Sequence, residues 1–69
     1  MVDVVHNTIV HLRTEVHMTQ QALAQKVGVT RQTIIAMEKG NYTPSVLLAL
    51  KVAQVFDKKV EEVFYIQQV

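Results

Sequence analysis

The segment spanning residues 19–40, TQQALAQKVGVTRQTIIAMEKG, constrains the fold of this chain more than any other feature. Its first half has apolar residues at helical spacing and ends at Gly28, which can adopt the left-handed backbone conformation that terminates a helix at low cost. Its second half repeats the pattern, with Ile34 and Met37 on one helical stripe. Ala24 is small enough to let the two helices approach closely. The segment therefore predicts two short helices joined by a tight turn and packed against each other.

Apolar periodicity and capping residues predict three more helices. The expected ranges of all five are about Asn7 to Val16, Gln20 to Lys26, Arg31 to Glu38, Val46 to Val55 or Phe56, and Val60 to Phe64. Thr19, Thr30 and Ser45 are the expected N-terminal caps of the second, third and fourth helices. The expected fold is all-α, with five helices in a single domain spanning residues 1–69.

The two ends of the chain, MVDVV and FYIQQV, are rich in β-branched and aromatic residues. Such residues favour strands, so the ends can pair as a small two-stranded antiparallel sheet beside the helices. An isolated pair of strands is marginally stable, so fraying of both ends is the alternative. The sequence leaves this choice open.

Composition limits the cellular setting and the kinds of site. Apolar residues make up 49% of the 69 residues and cysteine is absent. The chain is therefore expected to form a packed globule, without disulfides or thiolate metal sites, in a reducing cytoplasm. We find no signal peptide and no apolar run long enough to span a membrane. The formal net charge is +1, and the excess of positive charge falls within residues 19–45.

Four polar residues, Thr30, Arg31, Gln32 and Thr33, open the third helix and are not explained by a core. On composition alone they fit a solvated helix face. In a helix-turn-helix, however, the first residues of the second helix meet base edges in the major groove of DNA. Arg31 can then bind guanine O6 and N7, and Gln32 can bind adenine N6 and N7.

The run MTQQALAQKVGVTRQTIIAMEKGNYTPS, followed by LALKVAQVF and VEEVF, resembles the Cro/repressor-type (Xre) helix-turn-helix family. The resemblance covers about residues 7–64 and is strongest to small stand-alone regulators. It implies a five-helix, lambda-repressor-like DNA-binding domain with the helix-turn-helix proper at about residues 20–38. It also implies a dimer that binds a palindromic operator, and in some of the smallest relatives paired terminal strands.

The resemblance also implies roles for individual residues. The base-reading group would be Thr30, Arg31, Gln32, Thr33, Ile35 and Ala36. The DNA-backbone group would be Gln20, Lys39, Asn41, Tyr42 and Thr43. Arg13 and Glu38 would form a partly buried ion pair between the first and third helices. Tyr42 has a second interpretation, as a loop residue anchored at the edge of the core.

The sequence departs from the family pattern at four positions. His17 and Asp57 stand where glycine is frequent, at the ends of the first and fourth helices. Lys59 replaces the usual Ser or Thr cap of the fifth helix. Ile35 occupies a position that is more often small or polar.

The fourth helix carries more apolar residues than one buried stripe needs. The expected inward stripe consists of Val46, Ala49, Val52, Ala53 and Phe56, which leaves Leu47 and Leu50 toward the side. Exposed leucines three residues apart suggest a protein contact. The candidate dimer interface therefore consists of Leu47, Leu50, Val63, Tyr65 and Ile66. The alternative is that the fifth helix and the terminal strands cover the leucines within one monomer.

The preferred hypothesis is a sequence-specific transcriptional regulator, a repressor that binds double-stranded operator DNA as a homodimer. The alternative is a helix-turn-helix module for protein interaction, of the antitoxin or anti-repressor type. We expect no enzymatic activity, cofactor, small-molecule ligand or membrane association, because the sequence has no catalytic motif and no phosphate-binding glycine loop. No metal site is expected either, since the spacing of His6, His11 and His17 does not place two imidazoles on one helix face.

Overall fold

The computed structural model describes residues 1–69 and contains five helices and one two-stranded antiparallel sheet. In chain order the elements are β1 (Asp3–Asn7), α1 (Ile9–Glu15), α2 (Gln20–Val27), α3 (Arg31–Glu38), α4 (Val46–Val55), α5 (Val60–Val63) and β2 (Phe64–Gln68). The predicted five-helix fold is confirmed, and so is the sheet between the two ends of the chain. None of the five helices has the length and apolar composition that crossing a membrane requires.

Side-chain caps begin three of the helices, as the sequence predicts. Thr19 Oγ1 accepts a hydrogen bond from the amide of Ala22 at 3.0 Å, and Ser45 Oγ accepts one from the amide of Leu48 at 3.1 Å. Thr30 caps α3 in the same way. Each cap satisfies an amide that the first turn of a helix leaves without a partner. The local sequence therefore determines where these three helices begin.

The predicted boundaries of the first and fifth helices are wrong at their sheet ends. Asn7, expected to begin the first helix, is the last residue of β1 and pairs with Phe64, which was expected to end the fifth helix. Asn7 Oδ1 accepts from the amide of Ile9 at 3.1 Å, and its amide group donates to the carbonyl of Met37 at 2.9 Å. The Asn7 side chain thus joins the start of α1 to the end of α3, which a local pattern does not reveal.

The core forms where α1, α2, α3, α4 and α5 meet. Its buried members are Ile9, Leu12, Leu23, Ala24, Val27, Ile34, Met37, Leu48, Val52, Ala53 and Val63. The predicted inward stripe of the fourth helix is correct at Val52 and Ala53 but wrong at Val46, which is 78% exposed. Leu48 takes the inward position, because residues 48, 52 and 55 lie on one face of a helix.

Two helix ends adopt a left-handed backbone without glycine. His17 has φ 56° and Asp57 has φ 54°, at the positions where the resemblance expects glycine. Histidine and aspartate tolerate this region better than β-branched residues do, but each makes the folded state less stable than glycine would at the same position. By contrast, Gly28 ends α2 with φ 78° and carries no such cost.

We expect His17→Gly to raise the free energy of unfolding by about 0.5–1 kcal/mol, since relief of the left-handed strain outweighs the extra entropy of glycine in the unfolded chain. The measurement is urea denaturation at one fixed protein concentration. Gly28→Ala is the matched control, because a Cβ at Gly28 meets no atom within 4 Å and its effect is therefore purely conformational. It should lower stability by about 1 kcal/mol. Equal stability of His17→Gly and the unmodified chain would contradict the strain argument.

A charged network fixes the end of α3 to α1 and α2. Arg13 Nε donates to Glu38 Oε2 at 2.6 Å, and Arg13 Nη2 donates to Glu38 Oε1 at 3.1 Å. Gln20 Nε2 donates to the same Oε1 at 2.9 Å, and Arg13 Nη1 donates to the carbonyl of Met18 at 3.0 Å. The two charged side chains are 13% and 4% exposed, respectively. Because the bidentate pair is shielded from water, it fixes orientation more firmly than a surface ion pair would.

Arg13→Met should destabilise the fold by about 3–5 kcal/mol, because it leaves the buried Glu38 carboxylate with a single neutral donor. The double variant Arg13→Met with Glu38→Leu should recover most of that loss, since it removes both charges together. Urea denaturation of the two variants and the unmodified chain measures the difference. A double variant as unstable as Arg13→Met would show that the network is not held as an ion pair.

Candidate DNA-binding surface

The outer face of α3 presents two long polar side chains that the protein itself does not use. Arg31 and Gln32 are both exposed, and neither side chain makes a hydrogen bond or ion pair within the chain. Ile34 lies on the side of the helix opposite Gln32 and is fully buried. The core therefore fixes the rotation of α3, and that rotation projects Gln32 into solvent. Arg31 is exposed as the first residue of the helix, and the hydrogen-bonding groups of both side chains are free.

Gln32, Ala36 and Lys39 follow one another at intervals of four and three residues, so they form one stripe on the outer face of α3. Ala36 is half-buried, as is Ile35 on the flank of the stripe. Their exposed methyl groups can contact the methyl of thymine but offer no hydrogen bond to a base. Hydrogen bonds from α3 to base edges can thus come only from side chains in its first turn.

Thr30 and Thr33 are partly occupied by the helix itself. Thr30 Oγ1 accepts from the amide of Thr33 at 3.2 Å, and the two hydroxyls lie 3.1 Å apart. One of these hydroxyls donates to the other, so the pair retains one hydroxyl hydrogen for an outside acceptor. Thr30 therefore acts mainly as a helix cap. Within the predicted base-reading group, Arg31 and Gln32 are the polar side chains that make no hydrogen bond inside the protein.

The loop after α3 brings the other predicted DNA contacts close to the end of that helix. The amide of Gly40 donates to the carbonyl of Met37 at 3.1 Å, and the amide of Asn41 donates to the carbonyl of Ala36 at 2.9 Å. These bonds close the helix and turn the chain outward, so that Lys39, Asn41 and Thr43 are exposed. Their side chains make no hydrogen bond within the chain and remain available to phosphate oxygens.

Tyr42 has features of both interpretations. Its side chain is 43% exposed, which is too much for a residue anchored in the core. It nevertheless lines a shallow groove together with Val27, Val29 and Leu48. Tyr42 therefore lies beside α2 and α4 without being buried, and a contact of its hydroxyl with a phosphate stays a prediction.

Gln20 braces α3 through the bond from its Nε2 to Glu38 described above. It is half-buried at the first turn of α2. One amide nitrogen carries two hydrogens, so the group that holds Glu38 can donate its second hydrogen to a phosphate. The predicted phosphate contact and the bracing contact are thus chemically compatible in one side chain.

The charges around α3 are uneven. Lys26, Arg31 and Lys39 are exposed, while the one acidic residue of the segment, Glu38, is buried against Arg13. Because that pair is internally neutral, Glu38 does not offset the three exposed cations. The surface is consequently more positive than the formal net charge of +1 suggests.

The predicted dimer residues divide into three groups. Val63 is wrong as an interface residue, because its side chain is fully buried inside the monomer. Leu47 and Leu50, on the outer face of α4, are 64% and 49% exposed. Tyr65 and Ile66 are exposed on β2. The alternative that the monomer covers the two leucines is therefore wrong as well.

Sequence reasoning missed Val46 as part of the outer face of α4. A signal was present, because only Lys51 and Gln54 are polar among the ten residues of VLLALKVAQV. A helix that is apolar around most of its circumference has more than one side to cover. No group of three or more His, Asp or Glu side chains comes together anywhere in the structure.

Comparisons with known proteins show the family of this chain. A helix-turn-helix family model matches residues 9–63. YgzD of Bacillus subtilis is 47% identical over 62 residues, which cover 90% of this chain and 94% of YgzD. MJ0272 of Methanocaldococcus jannaschii is 50% identical over 58 residues, 84% of this chain and 88% of that protein. Both are named uncharacterized HTH-type transcriptional regulators.

A solved structure has the same fold. A protein from Bacteroides fragilis superposes with a TM-score of 0.78 at 23% identity, covering 88% of this chain and 98% of that one. At this level of identity the likeness concerns the fold alone. With a family match over most of its length and close relatives in both bacteria and archaea, the chain belongs to the helix-turn-helix family of HTH-type transcriptional regulators.

Proposed function

We propose that this protein is a sequence-specific DNA-binding repressor that acts in the cytoplasm as a homodimer on a palindromic operator. The observation that carries the proposal is the exposure of Arg31 and Gln32, without any partner in the chain, at the start of a helix whose position is fixed from behind. Both side chains suit bidentate contacts with purine bases in the major groove. The whole chain, residues 1–69, would act as one domain with residues 20–38 as its helix-turn-helix.

Docking follows from the order of groups along α3. The first turn of α3 would enter the major groove, where Arg31 and Gln32 contact base edges. Gln20 and the loop carrying Lys39 would contact sugar-phosphate groups on the rim of the groove. Such backbone contacts set the register of a protein on DNA, and the base contacts then select the sequence.

The need for a dimer follows from the size of α3. Eight helical residues span roughly 12 Å, which is enough for only a few base pairs. Two copies would place their recognition helices in successive major grooves, about 34 Å apart, and double the length of sequence read. Occupation of promoter DNA by such a dimer would block transcription, without a cofactor or small-molecule ligand.

Selection of bound duplexes from a random pool, followed by sequencing, tests the proposal. We expect one symmetric sequence to be enriched. Arg31→Ala and Gln32→Ala should each weaken binding to the selected sequence by about 1–3 kcal/mol, roughly 5- to 150-fold, while leaving non-specific binding much less affected. Gln25→Ala, an exposed glutamine on α2, is the matched control and should bind normally. Absence of any enriched sequence at physiological salt would refute the proposed function.

Lys39→Ala should weaken binding to specific and unrelated duplexes to a similar degree. The reason is that a phosphate contact carries no base information, and its loss should reduce the magnitude of the slope of log K against log salt by about 1. Lys58→Ala, an exposed lysine beyond α4, should leave the slope unchanged. Titrations at four or five salt concentrations measure both. A loss restricted to the selected sequence would assign Lys39 to base recognition instead.

The exposed apolar face of α4 supports a second candidate function, a module for binding another protein. Val46, Leu47 and Leu50 form this face. Under that function the Arg31→Ala and Gln32→Ala variants would retain full activity in the cell. The free polar groups of Arg31 and Gln32 favour the DNA-binding function, because protein binding through α4 gives them no role.

A further inference from the structure

The outer edge of β2 carries unpaired backbone groups. Val2 and Val69 exchange both of their backbone hydrogen bonds at 2.9 Å, so this is a hydrogen-bonded pair of the antiparallel ladder. Bonded and non-bonded pairs alternate along such a ladder. The pair of Val5 with Ile66 is therefore a non-bonded one, and so is the pair of Asp3 with Gln68. The N–H and C=O groups of Ile66 and Gln68 consequently point away from β1.

The two outer edges of this sheet differ in their protection. Along β1, Asn7 is hydrogen bonded to the end of α3, and Lys39 and Gly40 line the same recess as the strand. Asp3 adds a charge to that strand. Residues 64 to 69, FYIQQV, include no charged side chain and no proline, and no bulge interrupts the register. Exposed strand edges are normally blocked by one of these devices, so the edge of β2 is open to pairing.

We propose that β2 of a second copy of this chain pairs with that edge, antiparallel and about a two-fold axis at Ile66, to form a four-stranded sheet in the order β1, β2, β2, β1. The proposal rests on the homodimer proposed above and specifies how it assembles. An edge with free N–H and C=O groups on alternate residues is complementary to an identical edge turned through 180°. A second copy of β2 can therefore pair with the free N–H and C=O groups of this edge without another partner.

Centring the axis at Ile66 is favoured by the side chains. Val5 and Ile66 are directly opposite each other and so lie on the same face of the ribbon. Joining two ribbons at Ile66 creates an uninterrupted row of four β-branched side chains across the sheet, Val5 and Ile66 from each copy. Ile66 is 71% exposed in the monomer and would lose part of that exposure to its counterpart in the second copy. Cross-strand pairs of this kind are the unit of sheet stabilisation.

The absence of cysteine from the chain allows a direct test with single-cysteine variants. In the proposed dimer the Cα atoms of two Ile66→Cys residues would be about 5.5 Å apart, within the range that a disulfide spans. On mild oxidation without DNA, we expect Ile66→Cys to form a covalent dimer at least about tenfold faster than Gln25→Cys on α2, since paired thiols have a raised effective concentration. Leu50→Cys reports on the alternative contact through α4. Faster dimerisation of Leu50→Cys than of Ile66→Cys would overturn the proposal.

A matched pair of proline variants tests the backbone contact itself. Gln68→Pro removes an N–H that points outward from β2, and Asp3→Pro removes the equivalent outward N–H from β1, with the bonds between β1 and β2 kept in both. Gln68→Pro should raise the dimer Kd by at least about tenfold in sedimentation equilibrium, because it deletes one hydrogen bond from each copy. Asp3→Pro should change the Kd less than about twofold.

Equal effects of the two proline variants, or a chain that stays monomeric at every concentration, would refute strand pairing. Both experiments omit DNA, so they are independent of base recognition. Failure of strand pairing would leave an enriched DNA sequence in the selection experiment intact. Conversely, a strand-paired dimer that enriches no sequence would refute the proposed function alone.

Discussion

The carboxylate of Glu38 is the contact on which the position of α3 depends. It lies at the last residue of that helix and accepts hydrogen bonds from Arg13 of α1 and Gln20 of α2. A helix of eight residues has little stability of its own in water, so its helicity and its orientation both come from tertiary contacts. Ile34 and Met37 supply the apolar part of those contacts, and Glu38 supplies the directional part. Hydrophobic packing alone would tolerate small rotations of α3 that bidentate hydrogen bonding resists.

The network also explains how a chain of nearly balanced charge can present a positive surface. Burying an ion pair costs desolvation free energy, which the bidentate geometry and the added hydrogen bond from Gln20 offset in part. Burial also removes the acidic member from the surface at which Arg31 and Lys39 are exposed. Arg13 additionally donates to the carbonyl of Met18, at the turn where His17 has its left-handed backbone. One guanidinium thus secures the turn between α1 and α2 and the end of α3 at the same time.

Much of the fold was predictable from the sequence because its signals are local. The caps Thr19, Thr30 and Ser45 and the turn at Gly28 depend on residues within one helical turn, and all four were predicted correctly. The errors lie where distant segments decide the outcome. Asn7 was predicted to begin a helix, but it pairs with Phe64 in the sheet. Val63 was predicted to lie at the dimer surface, but it is buried in the core.

The candidate site divides along the same line. The exposure of Gln32 follows from the helical period and that of Arg31 from its place at the first residue of α3, so both were predictable. The hydrogen bond between the hydroxyls of Thr30 and Thr33 depends on side-chain rotamers and was not. The open edge of β2 was not predictable from composition, because the ladder alternation that turns Ile66 outward depends on the register with β1. Strand propensity indicated that the ends would pair. It carried no information on which backbone groups would remain free.

Pairing of β1 with β2 has a consequence for the order of folding. Helices α2 and α3 contact each other through residues close by in the chain, whereas Val2 bonds to Val69 across almost the whole length of the polypeptide. Contacts of such large sequence separation are the slow part of folding. We therefore expect the α2 and α3 pair to form early in folding and the two strands to pair late.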